Sequence, residues 1–124
     1  MHEPYTHGGN TVLYMIASFN FNLDHFASFA AAEQHYLTYH VPLARQLPGL
    51  RRYIIGRAID LGPLVAPRQR AAILVFDDAE ALRAAYRSEV GRALREDEKR
   101  LIADPLVTLI EAEEIVGAFQ DTRG

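Results

Sequence analysis

Residues 11–19, TVLYMIASF, are apolar on both alternating sets of positions, the pattern of a strand covered on two faces rather than one. The period then changes. From Asn22 or Asp24, either able to cap, LDHFASFAAAEQHYLTYH is rich in alanine. It sets Phe26, Phe29, Tyr36, Leu37 and His40 on one helical stripe. Pro42 cannot donate the hydrogen bond a continuing helix requires, so a kink or break is predicted near His40. PLARQL follows as a short further turn, and PGL at 48–50 ends the helical region.

Residues 50–59, LRRYIIGRAI, read as a second strand and 71–76, AAILVF, as a third, joined by the glycine- and proline-containing DLGPLVAPRQR. Asp77, with Glu80 three residues on, resembles a capping box opening AEALRAAYRS. Ser88 can cap a second segment, EVGRALREDEKRLIA, which Asp104-Pro105 would stop. A closing strand is predicted over 106–116. The order βαββαβ specifies an α+β, ferredoxin-like sandwich: four antiparallel strands with helices on one face. Residues 11–116 form the domain, with tails at 1–10 and 117–124. Helices on one face leave the other apolar face of strands one and three uncovered. Burial is worth roughly 25 cal/mol per Å², and large apolar patches are uncommon on monomers. A second copy related by a two-fold axis is the simplest cover.

Composition narrows the chemistry. A formal charge of −3 offers no basic footprint for nucleic acid or an anionic membrane surface. Without cysteine there is no disulfide, thiol nucleophile or thiolate metal site, which fits a reducing cytoplasm. MHEPYTHGGN lacks the n- and h-regions of a signal peptide, and no apolar run is long enough to span a membrane. A cytoplasmic protein is expected.

The helix ending HYLTYHVPLARQLPGLRRY, followed later by VFDDAEALRAAYRSEVGRALREDEKRLIADP, resembles the EthD-like family of the dimeric α/β-barrel superfamily. The pattern is carried by His40, Pro42-Leu43, Leu47-Pro48-Gly49-Leu50, Tyr53, Phe76-Asp77, Ala81-Leu82, Gly91-Arg92-Ala93-Leu94 and Asp104-Pro105, and spans roughly residues 11–116. The resemblance implies a homodimer whose two sheets face each other as a barrel, with a pocket between sheet and helices. The founding member is linked to ether degradation, and similar barrels include polyketide cyclases, lactone isomerases and cofactor-free monooxygenases. It therefore implies binding of a small hydrophobic carbonyl or aromatic metabolite without a cofactor, with acid/base chemistry or as a non-catalytic accessory protein. Two positions depart from the family pattern: Ala32 stands where an aromatic is usual, and Tyr36 where tryptophan is common. A small Ala32 would enlarge the pocket, with Phe29 filling it one turn earlier.

At about 100° per residue, Glu33, Tyr36 and His40 all fall within about 40° of Phe29 on the apolar stripe. A histidine moves protons near neutrality, a tyrosine holds an oxyanion and a carboxylate orients an imidazole. His40, Tyr36 and Glu33 are the catalytic candidates, suited to enolisation, aldol-type cyclisation or isomerisation. The structural alternative is that His40 bonds a carbonyl freed by Pro42, Tyr36 places its hydroxyl at the domain edge and Glu33 reaches solvent at the margin of the stripe. Phe29, Tyr53, Tyr14 and Leu43 are candidate lining residues, although aromatic strand residues are more often core. His25 reads as exposed. His35 and His40, five apart and about 140° around a helix, cannot pair on one metal ion as an i, i+4 pair would. No metal site is expected. REDEKR at 95–100 reads as a solvated helix face.

Overall fold

The computed structural model describes residues 11–64 and 68–116. The expected tails, and residues 65–67 of the long connection, lie outside the described residues. Four strands, β1 (Thr11–Phe21), β2 (Arg52–Arg57), β3 (Arg70–Phe76) and β4 (Ile102–Glu113), form one antiparallel sheet in the order β2-β3-β1-β4. This is the ferredoxin-like arrangement expected from βαββαβ. Leu13, Phe19, Phe21, Ala72, Leu74 and Phe76 point to the helical side and are buried. The alternate set, including Tyr14, Ile16, Ile54, Ile73 and Ile110, lines the open side, as the pairings Tyr14↔Val75, Tyr14↔Ile110 and Ile54↔Ile73 require. Ile54 of β2 and Ile110 of β4 are 42% and 39% exposed there, so an apolar face is uncovered, most openly on the outer strands rather than on strands one and three where it was expected.

The first helical region is more divided than its stripe suggests. Asn22 does cap, but it closes only a 3₁₀ turn, Leu23–His25, by accepting from the Asp24 amide. Ser28 caps α1 (Phe29–His35), its hydroxyl accepting from the Ala31 amide at 3.1 Å. A π turn, Tyr36–His40, follows and runs directly into α2 (Val41–Ala44). The break expected at Pro42 therefore takes another form. The proline would leave the Thr38 carbonyl without its i+4 donor and crowd it. The chain widens upstream instead, the Val41 amide reaching back to the Tyr36 carbonyl, and stays helical.

Asp78 rather than Asp77 caps α3 (Ala79–Arg87), accepting from the Ala81 amide at 2.9 Å. Asp77 lies one residue too early and binds Arg51 at 3.0 Å. Ser88 caps α4 (Glu89–Leu101) as expected, accepting from the Gly91 amide while donating to the Ala85 carbonyl. Asp104-Pro105 does not separate helix from strand. β4 begins at Ile102 and carries both residues through a register shift opposite Ser18–Asn20, with Asp104 at φ 53°. Proline is tolerated because β4 is an edge strand, and aspartate is among the residues that accept a left-handed backbone.

Candidate functional site

The π turn, α2, α3 and α4 do not close fully onto the sheet. A cavity of about 660 Å³ remains between them, within the ~300–1,000 Å³ of ordinary small-ligand sites. Met15, Ala17, Phe19, Ala72 and Leu74 form its sheet wall, and Tyr36, His40 and Ala44 face them. Tyr53 and Tyr86 contribute further polar edges, and Glu98, Arg95 and Lys99 of α4 stand opposite Val107 and Leu109 of β4. Val107 and Leu109 are each 53% exposed, so the helices leave the cavity open on the β4 side.

His40 is 6% exposed and lines this cavity. Its Nδ1 lies 2.8 Å from Asp97 Oδ2. An ionised carboxylate only accepts, so the bond places the hydrogen on Nδ1 and leaves Nε2 as the nitrogen available to a ligand. Burial lowers the His40 pKa, against the raising effect of Asp97. The balance favours a neutral imidazole near pH 7, the form that can take up a proton. Tyr36, 1% exposed, stacks on His40 at 5.5 Å between ring centres. Its hydroxyl is buried with no hydrogen-bond partner; Tyr53 lies near enough to affect its titration but outside good bonding geometry. Burial raises the pKa of both tyrosines, so both stay protonated donors.

Glu33 is placed elsewhere. Its carboxylate meets Arg70 Nη2 at 2.8 Å, and the carboxylate that holds His40 is Asp97. The expectation that Glu33 orients the imidazole is corrected for a geometric reason: the stripe angle puts Glu33 on the side of α1 that faces the start of β3. Tyr53 lines the cavity, but Phe29, Leu43 and Tyr14 are not on its wall. Phe29 is 40% exposed and tilts against Phe21, Leu43 packs on the core, and Tyr14 faces the open side of the sheet beside Arg52 and Val75. Asp97 and Glu98 were hidden in the charged run 95–100, which is not wholly solvated. The signal for Asp97 was its place between Leu94 and Leu101 on the buried stripe Gly91, Leu94, Asp97, Leu101.

Burial pushes the Glu98 carboxyl up to about 7, with Asp97 adding to the rise and Arg95 opposing it. The site thus holds a buried imidazole whose pKa is lowered and a carboxyl that titrates at about 7. No group of three or more histidine, cysteine, aspartate or glutamate side chains among the described residues has metal-binding geometry. No described helix is long and apolar enough to cross a membrane.

A family model described as the EthD domain matches residues 25–105. Among solved structures, an ethyl tert-butyl ether d (ethd) family protein from Bacillus halodurans is 27% identical, with a TM-score of 0.67 over 84% of this chain and 99% of that one. A dimeric ferredoxin-like protein from Thermobifida fusca is 21% identical, with a TM-score of 0.65 over 90% and 100%. SnoaB, a cofactor-independent oxygenase from Streptomyces nogalater, is 19% identical, with a TM-score of 0.59 over 86% and 97%. These last two likenesses are of fold. No curated protein matches the chain. With the family model covering more than half of the sequence and the sheet order agreeing, the chain belongs to the EthD family.

Proposed function

We propose that the protein binds a small, largely apolar carbonyl or aromatic metabolite in the cytoplasm and moves a proton on it without a cofactor. The observation that carries this reading is the Asp97–His40 bond at 2.8 Å, which occupies Nδ1 and leaves Nε2 free on a buried imidazole that lines an apolar cavity. In this mechanism Nε2 removes a proton from the carbon next to a carbonyl, and the electron pair passes to the carbonyl oxygen. The Tyr36 and Tyr53 hydroxyls donate to that oxygen, and the imidazolium returns its proton to the same or another atom. Glu98 is the second group in the cavity able to give or take a proton near neutrality. Cofactor-independent oxygenation, the activity of SnoaB, is one outcome such an enolate permits when dioxygen is the oxidant.

The unpaired Tyr36 hydroxyl supports the reading, because leaving a buried donor without a partner costs about 1–3 kcal/mol unless something completes it. We also propose a homodimer joined through the open sheet face, supported by the half-exposed Ile54 and Ile110 and by the dimeric state of the Thermobifida fusca protein. A non-catalytic binding or accessory role is the second reading, favoured by the mostly apolar wall of the cavity.

A thermal-shift screen against aromatic polyketides, lactones, β-keto acids and ether-derived alcohols, followed by NMR of deuterium exchange at the α-carbon of any binder, tests both. Exchange catalysed by the wild type and lost in His40→Gln with binding kept supports proton transfer. Binding without exchange in either protein supports the accessory role. Binding by no class removes both readings.

A further inference from the structure

His35 and His40 hold opposite oxygens of the same carboxylate. His35 Nε2 lies 2.7 Å from Asp97 Oδ1, and His40 Nδ1 lies 2.8 Å from Asp97 Oδ2. A regular α-helix would place residues five apart on different sides. The π turn, bonded i to i+5, is what brings both rings to α4. Asp97 is itself buried, while the His35 side chain is 23% exposed. The three side chains therefore run in a line from the surface to the cavity.

We propose that His35 is a positioning residue that sets the basicity of His40 through their shared carboxylate. The inference rests on the reading that His40 is the working base of the cavity. While His35 is neutral, the charge of Asp97 serves the inner imidazole and favours its taking up a proton. Once His35 is protonated it claims that charge, and protonating His40 as well would put two buried cations on one anion. The outer histidine, once protonated, thus makes the inner one a weaker base without touching the ligand.

The surroundings hold the three side chains in place. His35 is held between Phe26 and Tyr39, at 5.2 and 5.1 Å between ring centres, so its ring plane is fixed toward Asp97. Arg100 lies over the Phe26 ring at 5.9 Å, and Glu98 adjoins Asp97 on α4. On the other side Arg70 of β3 covers Tyr36 and is matched by Glu33. A carboxylate that needed only structural satisfaction would be served by any neutral donor at position 35. A control on His40 requires a donor that can become charged.

The test is the imidazole 1H–15N NMR spectrum of the ¹⁵N-labelled, ligand-free protein from pH 5 to 8, for wild type, His35→Gln and His35→Phe. No turnover is needed, so a failure of the proton-transfer reading would be seen separately. In the wild type the two rings should titrate as an interacting pair, with the His40 hydrogen on Nδ1 at pH 7. In both variants the His40 midpoint should rise by about half a pH unit or more, since the competing cation is gone. Independent titration of the two wild-type rings would overturn the proposal even if neither variant folds. So would a His40 midpoint unmoved in a folded variant.

Discussion

The guanidinium of Arg70 lies 5.2 Å from the centre of the Tyr36 ring, on the same residue whose hydroxyl has no partner. The cation is held there by Glu33 at 2.8 Å, and His40 stacks on the Tyr36 ring. The ring is therefore positioned by its faces and leaves its hydroxyl uncommitted. Tyr36→Phe should leave stability unchanged or raise it by up to about 1 kcal/mol, because it removes a buried unpaired donor. Urea denaturation checks this, and a loss above 1 kcal/mol would mean that the hydroxyl is a structural bond. Affinity for a carbonyl ligand should fall in the same variant.

Asp97 accepts two charge-assisted bonds inside the protein. Asp97→Ala removes both and leaves two imidazole donors unpaired, so a loss of about 3 kcal/mol or more is expected in urea denaturation. A loss below 1 kcal/mol would show that water replaces the carboxylate without cost.

Glu98 and His40 give opposite pH dependences. The folded-state pKa of Glu98 is raised from 4.5 to about 7, so between those values the native state holds more protons than the unfolded chain and stability falls as pH rises. For His40 the folded value is lowered from 6.5, so the unfolded chain binds the proton first and stability falls as pH drops below 6.5. Glu98→Gln should therefore stabilise the protein more at pH 8 than at pH 4.5, by an amount on the order of 1–2 kcal/mol after allowance for its partial exposure. Denaturant midpoints at the two pH values read the difference; an equal effect at both would place the Glu98 titration outside this window.

Gly91 lies in the first turn of α4, where the chain turns back on α3. A Cβ built there would meet the Ala85 carbonyl oxygen and stand 2.6 Å from Tyr86 Cα, both backbone atoms. Neither can yield without moving the helix junction that Ser88 holds from both sides. Gly91→Ala should cost about 2 kcal/mol or more despite the better helix propensity of alanine. Calorimetric melting of the variant decides it, and a melting temperature equal to the wild type would refute the close approach.

The open sheet face carries the dimer proposal. Ile54→Asp combined with Ile110→Asp puts charge on two half-exposed positions that do not touch the helical core. Light scattering after size exclusion should report a dimer for the wild type and a monomer for the double variant. A monomeric wild type would leave the apolar face to another partner.

The order and direction of the strands were legible in the sequence because strand periodicity and turn residues act locally. TVLYMIASF and AAILVF announce a sheet apolar on both sides, and Ser88 announces the junction of α3 and α4. Tyr36, His40 and Tyr53 were legible as facing inward for the same reason. The carboxylate on His40 was not. Ideal helical angles made Glu33 its neighbour and set His35 apart from His40, whereas the π turn before Pro42 rotates His35 and His40 together onto α4. Asp97 looked like one more charge in a solvated run, and only the packing of α4 across the sheet turns it inward. Local pattern thus determined which segments form strands and helices and which side chains share a stripe. Tertiary structure alone decided which carboxylate those side chains meet, because that pairing joins residues 57 and 62 positions apart in the chain.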